Sequence, residues 1–128
     1  MQADAIQQDE LAAVLHQADI LSIHLPLLPE TQNIISAQEL SLLKPSISII
    51  NTARGGIINE SSLHAFLFKN PDAFAAFDVY AEEPVLENQL FELPNFFGTS
   101  HRSSLTHEGI IAMGLAAIAG LDDNKILT

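Results

Sequence analysis

The stretch Ser46-Ile47-Ser48-Ile49-Ile50-Asn51-Thr52-Ala53-Arg54-Gly55-Gly56-Ile57-Ile58-Asn59-Glu60 decides how the chain is read. Its first five residues are an apolar, β-branched run behind Pro45 and read as a buried strand. Two glycines permit a tight turn directly after Arg54. Asn59 then precedes a helical run, Glu60–Lys69, which stops at Asn70-Pro71. An arginine therefore stands just past the carboxyl end of a strand. In open parallel α/β sheets ligands bind there, and a guanidinium suits a carboxylate, which it meets with two parallel charge-assisted hydrogen bonds. A solvated loop arginine is the plainer reading of the same position.

The neighbouring segments extend this pattern in both directions. Asp19-Ile20-Leu21-Ser22-Ile23-His24 is a second strand, stopped by Pro26. Before it, Asp9 is placed to cap a helix running to about Ala18, with Leu11, Val14 and Leu15 at helical spacing; Met1–Gln8 is polar and reads as irregular. Pro26 and Pro29 enclose a loop closed by Thr31, and Ser36 with Glu39 three residues on forms a capping box for a short helix, Ala37–Lys44. Downstream, Ala73–Val79 is a strand with Asp78 near its carboxyl end, Ala81–Leu93 an acidic loop, and Asn95–Ser100 a last short strand. A helix over Thr106–Leu121 is small and apolar on much of its surface, a composition that suits burial between other elements.

Strands alternating with helices predict an α/β fold with a parallel sheet. A covered parallel sheet of about four strands is unusually small, and no Gly-x-Gly-x-x-Gly turn occurs among the six glycines. The chain reads as half of a larger sheet.

Composition narrows the function. The 128 residues suit one domain or part of one. Hydrophobic residues make up 48%, enough for a core, and a mean hydropathy of +0.23 implies apolar surface normally covered by something else. A net charge of -11 with five Lys and Arg disfavours nucleic acid, which needs clustered basic residues. The absence of cysteine removes disulfides and thiolate metal sites and fits a reducing compartment. No apolar run approaches a membrane span, and the N-terminus lacks the order of a signal peptide. The expectation is a soluble, cytoplasmic protein with no membrane partner.

Three residues lie at or beyond the carboxyl ends of successive strands: Arg54, Glu83 and His101. Arg54 can hold a carboxylate, and His101 can give or take a proton near neutral pH. Glu83 can bond the far side of the imidazole and fix its tautomer. Together they suit moving a proton on and off an oxygen next to a carboxylate. On residue type alone, Glu83 also reads as a solvated acid, His101 as a strand-end histidine bonded to backbone, and His24 as a packing residue. No His/Asp/Glu set has metal-ligand spacing.

Several stretches together carry a family resemblance: Ala18-Asp19-Ile20-Leu21-Ser22-Ile23-His24-Leu25-Pro26-Leu27 with Thr31, Leu43-Lys44-Pro45, Ile50-Asn51-Thr52-Ala53-Arg54-Gly55-Gly56, Asp78-Val79-Tyr80-Ala81-Glu82-Glu83-Pro84 and Leu93-Pro94-Asn95. In these, over about Asp9 to Leu121, the chain resembles the NAD-dependent D-isomer-specific 2-hydroxyacid dehydrogenases. The resemblance implies a partial Rossmann-like parallel sheet with flanking helices, lacking the first βαβ part. Residues 1–128 would be the C-terminal half of an NAD-binding domain plus the helix that returns toward a second domain.

It further implies hydride transfer between NAD, or NADP, and a small-molecule 2-hydroxy or 2-keto acid. Arg54 would bind the substrate carboxylate, and His101 would be the acid/base paired with Glu83. Asp78 would bond the nicotinamide carboxamide. The backbone of His24, Leu25 and Pro26 and of Thr52, Ala53 and Arg54 would line the nicotinamide, with Thr31, His101, Ser103 and Ser104 completing the cofactor-facing set.

Two features depart from the family pattern. The phosphate-binding glycine turn would lie upstream of Met1. Around the histidine, where the family has Pro-His-Ile-Gly-Gly, this chain has Ser100-His101-Arg102-Ser103-Ser104, so side chains stand where glycines let the backbone approach the cofactor. Two readings follow: a dehydrogenase present in part, completed by an N-terminal half or a second copy, or an inactive relic of the fold serving as an interaction module.

Overall fold

The computed structural model of the chain describes residues 6–123. Its elements in order are α1 (Leu11–Gln17), β1 (Ile20–Ile23), α2 (Ala37–Leu40), β2 (Ser48–Asn51), α3 (Glu60–Lys69), β3 (Phe74–Phe77), a 3-10 turn (Gln89–Glu92), β4 (Phe96–Gly98) and α4 (His107–Asp123). The four strands form one sheet in the order β1-β2-β3-β4. All neighbours are parallel, with Ile23 beside Asn51, Asn51 beside Phe77 and Phe77 beside Gly98. The α/β parallel sheet expected from the alternation is therefore present, and every strand ends on the same edge.

Burial alternates along the strands. Leu21, Ile23, Ile49, Asn51, Ala75 and Phe77 are buried, and they join a core with Leu15 of α1, Leu40 of α2, Leu63 and Leu67 of α3 and Leu90 of the 3-10 turn. The opposite face carries Ile20, Ile50, Phe74 and Phe97, all exposed. Ser46–Ile50 thus belongs to a strand buried on one face rather than two. Its β-branched run satisfies the pattern of a covered sheet, while this segment supplies a layer for only one side.

Local chemistry sets the boundaries. Glu39 accepts from the Ser36 N–H (3.0 Å) and hydroxyl (2.6 Å), which starts α2 where the sequence places it. The helix ends at Leu40 rather than Lys44. Its last turn tightens into Leu42 N–H to Glu39 O and Leu43 N–H to Leu40 O bonds before Pro45. Asn59 caps α3 by accepting from the Ser62 N–H. Asp9 does not cap α1; Glu10 holds the cap position and its side chain makes no cap bond.

The largest difference concerns α4. Its described side chains are exposed, including Ile110, Ile111, Met113, Leu115, Ile118 and Leu121. The expected burial between elements is not supplied by this chain. Residues 1–5, most of the irregular Met1–Gln8 segment, lie outside the described residues. Among the described residues no helix is long and apolar enough to cross a membrane.

Candidate active site

The arginine turn is built by Asn51. This residue is almost fully buried at the end of β2, where a polar side chain needs partners. Its Oδ1 accepts from the Ala53 N–H (3.1 Å) and its Nδ2 donates to the Arg54 carbonyl (3.0 Å). One amide thus fixes the backbone on both sides of the turn and leaves the Arg54 side chain exposed at the sheet edge. The guanidinium donates from Nη1 to the Ala53 carbonyl (2.6 Å). Sequence reasoning singled out Arg54 and missed Asn51. The signal was an Asn closing an apolar strand two residues before a loop position that needs holding.

Gly55 then packs the turn against the next loop. A Cβ there would lie 1.8 Å from the Tyr80 carbonyl oxygen and 2.5 Å from the Ala81 nitrogen. Backbone thus meets backbone with no space for a side chain, so the arginine turn and the Tyr80–Glu83 turn form one piece.

His24, Leu25 and Pro26 face Thr52, Ala53 and Arg54 across a cleft of about 440 Å³ at the ends of β1 and β2. That volume falls in the range of small-molecule sites, and the cleft is broad and open to solvent rather than enclosed. The His24 Nε2 pairs with the Ser22 hydroxyl (2.8 Å). The Thr31 hydroxyl donates to the Pro26 carbonyl (2.7 Å) and accepts from the Leu28 N–H (2.8 Å). Thr31 therefore closes the loop that follows Pro26 and does not itself line the cleft.

Glu83 and His101 meet directly. The Glu83 Oε2 lies 2.7 Å from the His101 Nδ1, and its Oε1 accepts from the Tyr80 N–H (3.0 Å). The hydrogen bond with His101 first, and that from Tyr80 second, hold the Glu83 carboxyl below the usual carboxylate range. With Nδ1 turned to the carboxylate, Nε2 is the ring nitrogen left for other chemistry. Tyr80 beneath them is buried, and burial with the charges of Asp78, Glu60 and Glu83 pushes its hydroxyl up to about 12. It stays a neutral donor, to the Phe77 carbonyl.

His101 is held in a left-handed backbone conformation, with φ of 48°. Such a conformation costs a non-glycine residue about 1–2 kcal/mol, and Asp78 supplies the compensation. The buried Asp78 carboxylate accepts from the Thr99 hydroxyl and the N–H groups of Arg102 and Ser103, both at 2.8 Å. The Asp78 carbonyl takes the His101 N–H at 2.8 Å. Burial raises the carboxyl pKa, but the bonds from Ser103, Thr99 and Arg102 outweigh it and hold the group below its ordinary range. Three of roughly four acceptor positions are filled, so Asp78 acts first on its own loop. Ser103 contributes its backbone there, whereas the exposed Ser104 precedes the Thr106 hydroxyl that accepts from Gly109 N–H at the start of α4.

The site residues thus stand in two groups on one edge, Arg54 with the cleft at β1 and β2, and His101 with Glu83 at β3 and β4. Parallel neighbours are spaced about 4.8 Å apart, so the ends of β2 and β4 are about 10 Å apart. That leaves room for a small substrate between an arginine and a histidine side chain. Among the described residues no cluster of three His, Cys, Asp or Glu side chains could hold a metal ion.

Comparison with known proteins places the sequence and the fold. Residues 1–103 match the model of the D-isomer specific 2-hydroxyacid dehydrogenase, NAD binding domain. The chain is 38% identical over 106 residues to the D-3-phosphoglycerate dehydrogenase of Methanocaldococcus jannaschii, covering 83% of this chain and 20% of that protein. It is 35% identical over 116 residues to the glyoxylate reductase of Thermococcus litoralis, covering 86% of this chain and 35% of that one. The crystal structure of a glyoxylate reductase from Paecilomyes thermophila superposes with a TM-score of 0.79 at 33% identity, covering 88% of this chain and 34% of that one. The chain therefore spans between a fifth and about a third of the length of these relatives. With its parallel sheet and its motifs in order, this chain belongs to the D-isomer specific 2-hydroxyacid dehydrogenase family, within the NAD-binding domain.

Proposed function

We propose that this segment carries the catalytic edge of a cytoplasmic NAD- or NADP-dependent D-2-hydroxyacid dehydrogenase acting on a small 2-keto or 2-hydroxy acid. The observation that carries the reading is the 2.7 Å contact between Glu83 Oε2 and His101 Nδ1 at the carboxyl edge of a parallel sheet. When bound, NADH would supply the hydride that C2 of the keto acid receives. Arg54 holds the substrate carboxylate with its guanidinium fork. His101 gives a proton from Nε2 to the carbonyl oxygen as the alcohol forms, and takes it back in the reverse direction. Glu83 fixes the tautomer and stabilises the imidazolium. The cleft between His24–Pro26 and Thr52–Arg54 would hold the nicotinamide end.

Two parts of such a site fall outside these residues in the proposal: a glycine-rich turn for the pyrophosphate and a second domain that closes over the substrate. The direct test is a chimera in which this chain replaces the corresponding segment of the Paecilomyes thermophila glyoxylate reductase, with which it superposes over 88% of its length. Reduction of glyoxylate, hydroxypyruvate or pyruvate by NADH or NADPH, with KM raised in Arg54→Lys, supports the reading. A folded chimera that binds NADH and reduces none of them contradicts it. That result favours the interaction-module reading, which the exposed α4 and the Arg102-Ser103-Ser104 run support.

A further inference from the structure

We propose that Glu60 is a positioning residue, a clasp whose carboxylate sets the Glu83 loop and thereby places Glu83 against His101. The inference rests on the reading of Glu83 and His101 as an acid/base pair. The loop from Ala81 to Asn88 has little of its own to hold it. Ala81, Glu82, Glu83, Pro84, Leu86 and Glu87 are exposed, and a cavity of about 550 Å³ lies between the loop and Glu60. Val85 alone of residues 81–87 packs against the core, so directional bonds hold the ends of the loop.

Glu60 supplies two of them. Its Oε1 accepts from the Ala81 N–H at 2.6 Å and its Oε2 accepts from the Asn88 Nδ2 at 2.7 Å. One carboxylate therefore fastens both ends of the loop. Each end of the clasp is anchored. Glu60 opens α3, whose Leu63 and Leu67 lie in the core, and a carboxylate in a first helical turn is favoured by the helix dipole. Asn88 accepts the Leu90 N–H with its Oδ1 at 3.0 Å, and Leu90 is fully buried. The path runs from the core through Asn88 and Glu60 to Ala81, two residues from Glu83. The Gly55 contact with Tyr80 joins the same loop to the arginine turn, so the clasp also fixes Glu83 relative to Arg54.

The test uses Glu60→Ala and Glu60→Gln in the full chain, with circular dichroism to confirm folding. The midpoint of the Glu83 carboxyl is followed by carbon NMR, and amide exchange is followed at Ala81 and Tyr80. In wild type Glu83 is held low, first by His101 and then by Tyr80. If Glu60 is the clasp, its removal raises the Glu83 midpoint toward the ordinary value and speeds Ala81 exchange roughly tenfold or more. The sign is diagnostic, because removing a neighbouring negative charge alone would move Glu83 the other way.

Glu39→Ala weakens the start of α2 without touching the loop or α3 and should leave Glu83 unchanged. Glu60→Gln keeps one acceptor and should fall between the extremes; it decides by the same measures if Glu60→Ala does not fold. A folded Glu60 variant with unchanged Glu83 midpoint and unchanged Ala81 exchange overturns the proposal. None of these measures reads turnover. An inert chimera together with a shifted Glu83 therefore rejects the enzymatic reading and leaves the clasp standing.

Discussion

Replacing Gly55 by alanine adds a single methyl group at the joint between the arginine turn and the Glu83 loop. The new Cβ would meet the Tyr80 carbonyl oxygen at 1.8 Å, the Tyr80 carbonyl carbon at 1.9 Å and the Ala81 nitrogen at 2.5 Å. All three are backbone atoms, so no side chain can rotate away. Restoring even a 3.0 Å approach to the oxygen requires about 1.2 Å of movement between the two turns. Overpacking of this kind costs about 1–3 kcal/mol, and more where the backbone is fixed on both sides. Here the Asn51 amide holds one side and the Tyr80 N–H bond to Glu83 holds the other, so a loss of about 3 kcal/mol is expected. Urea unfolding followed by circular dichroism measures it directly. Gly114, in α4, is the control, because a Cβ there meets nothing within 4 Å. Gly114→Ala should raise stability by about 0.5–1 kcal/mol through helix propensity. If Gly55→Ala unfolds within 0.5 kcal/mol of wild type (an order-of-magnitude margin for a neutral surface change), the two turns do not pack as a unit and the placement of Arg54 beside the Glu83 loop is refuted.

Three further outcomes follow from the same geometry. Asp78→Asn sets an amide NH2 against a backbone N–H donor in the His101 loop, so a loss of about 2 kcal/mol or more is expected, together with faster amide exchange at Arg102 and Ser103; unchanged exchange would show that Asp78 does not hold the loop. Glu83 and Asp78 both have lowered folded pKa values, so their stabilisation is complete above the unfolded carboxylate range near pH 4 and is lost as pH falls through the folded values; stability that rises on acidification from pH 5 to pH 3 contradicts this. The 128-residue chain by itself should show no measurable 2-keto acid reduction and at most weak NADH binding by fluorescence titration, because it contains no glycine-rich pyrophosphate turn; micromolar affinity with turnover would overturn that expectation.

Much of this arrangement was legible in the sequence because it rests on short-range chemistry. Pro45 and the β-branched run marked β2, Ser36 with Glu39 marked the start of α2, and Asn59 with Asn70-Pro71 bracketed α3. The position of Arg54, Glu83 and His101 at one edge was readable because each follows a strand, and parallel strands bring such positions together. What escaped was set at long range. The bonds of Glu60 to Ala81 and Asn88 join residues more than twenty positions apart, and no local pattern announces them. The buried amide of Asn51 has two partners within three residues, yet its residue type alone does not show that it is buried. The resemblance pointed to Asp78 as a cofactor ligand, and no local pattern announced the three bonds its carboxylate also accepts from Thr99, Arg102 and Ser103. The burial assigned to α4 and to both faces of the sheet came from composition, which records that a surface is apolar but not which chain covers it.

The role of His101 is tested most directly by the His101→Ala substitution in the glyoxylate reductase chimera, with kcat for glyoxylate reduction and the NADH dissociation constant measured side by side. A general acid contributes about 10²–10⁴ in rate, so kcat should fall by that factor while the cofactor constant stays within about twofold. The Glu83–His101 pair is then the proton-transfer unit of the site. A chimera whose kcat is unchanged by His101→Ala, or which loses NADH binding along with activity, contradicts that assignment.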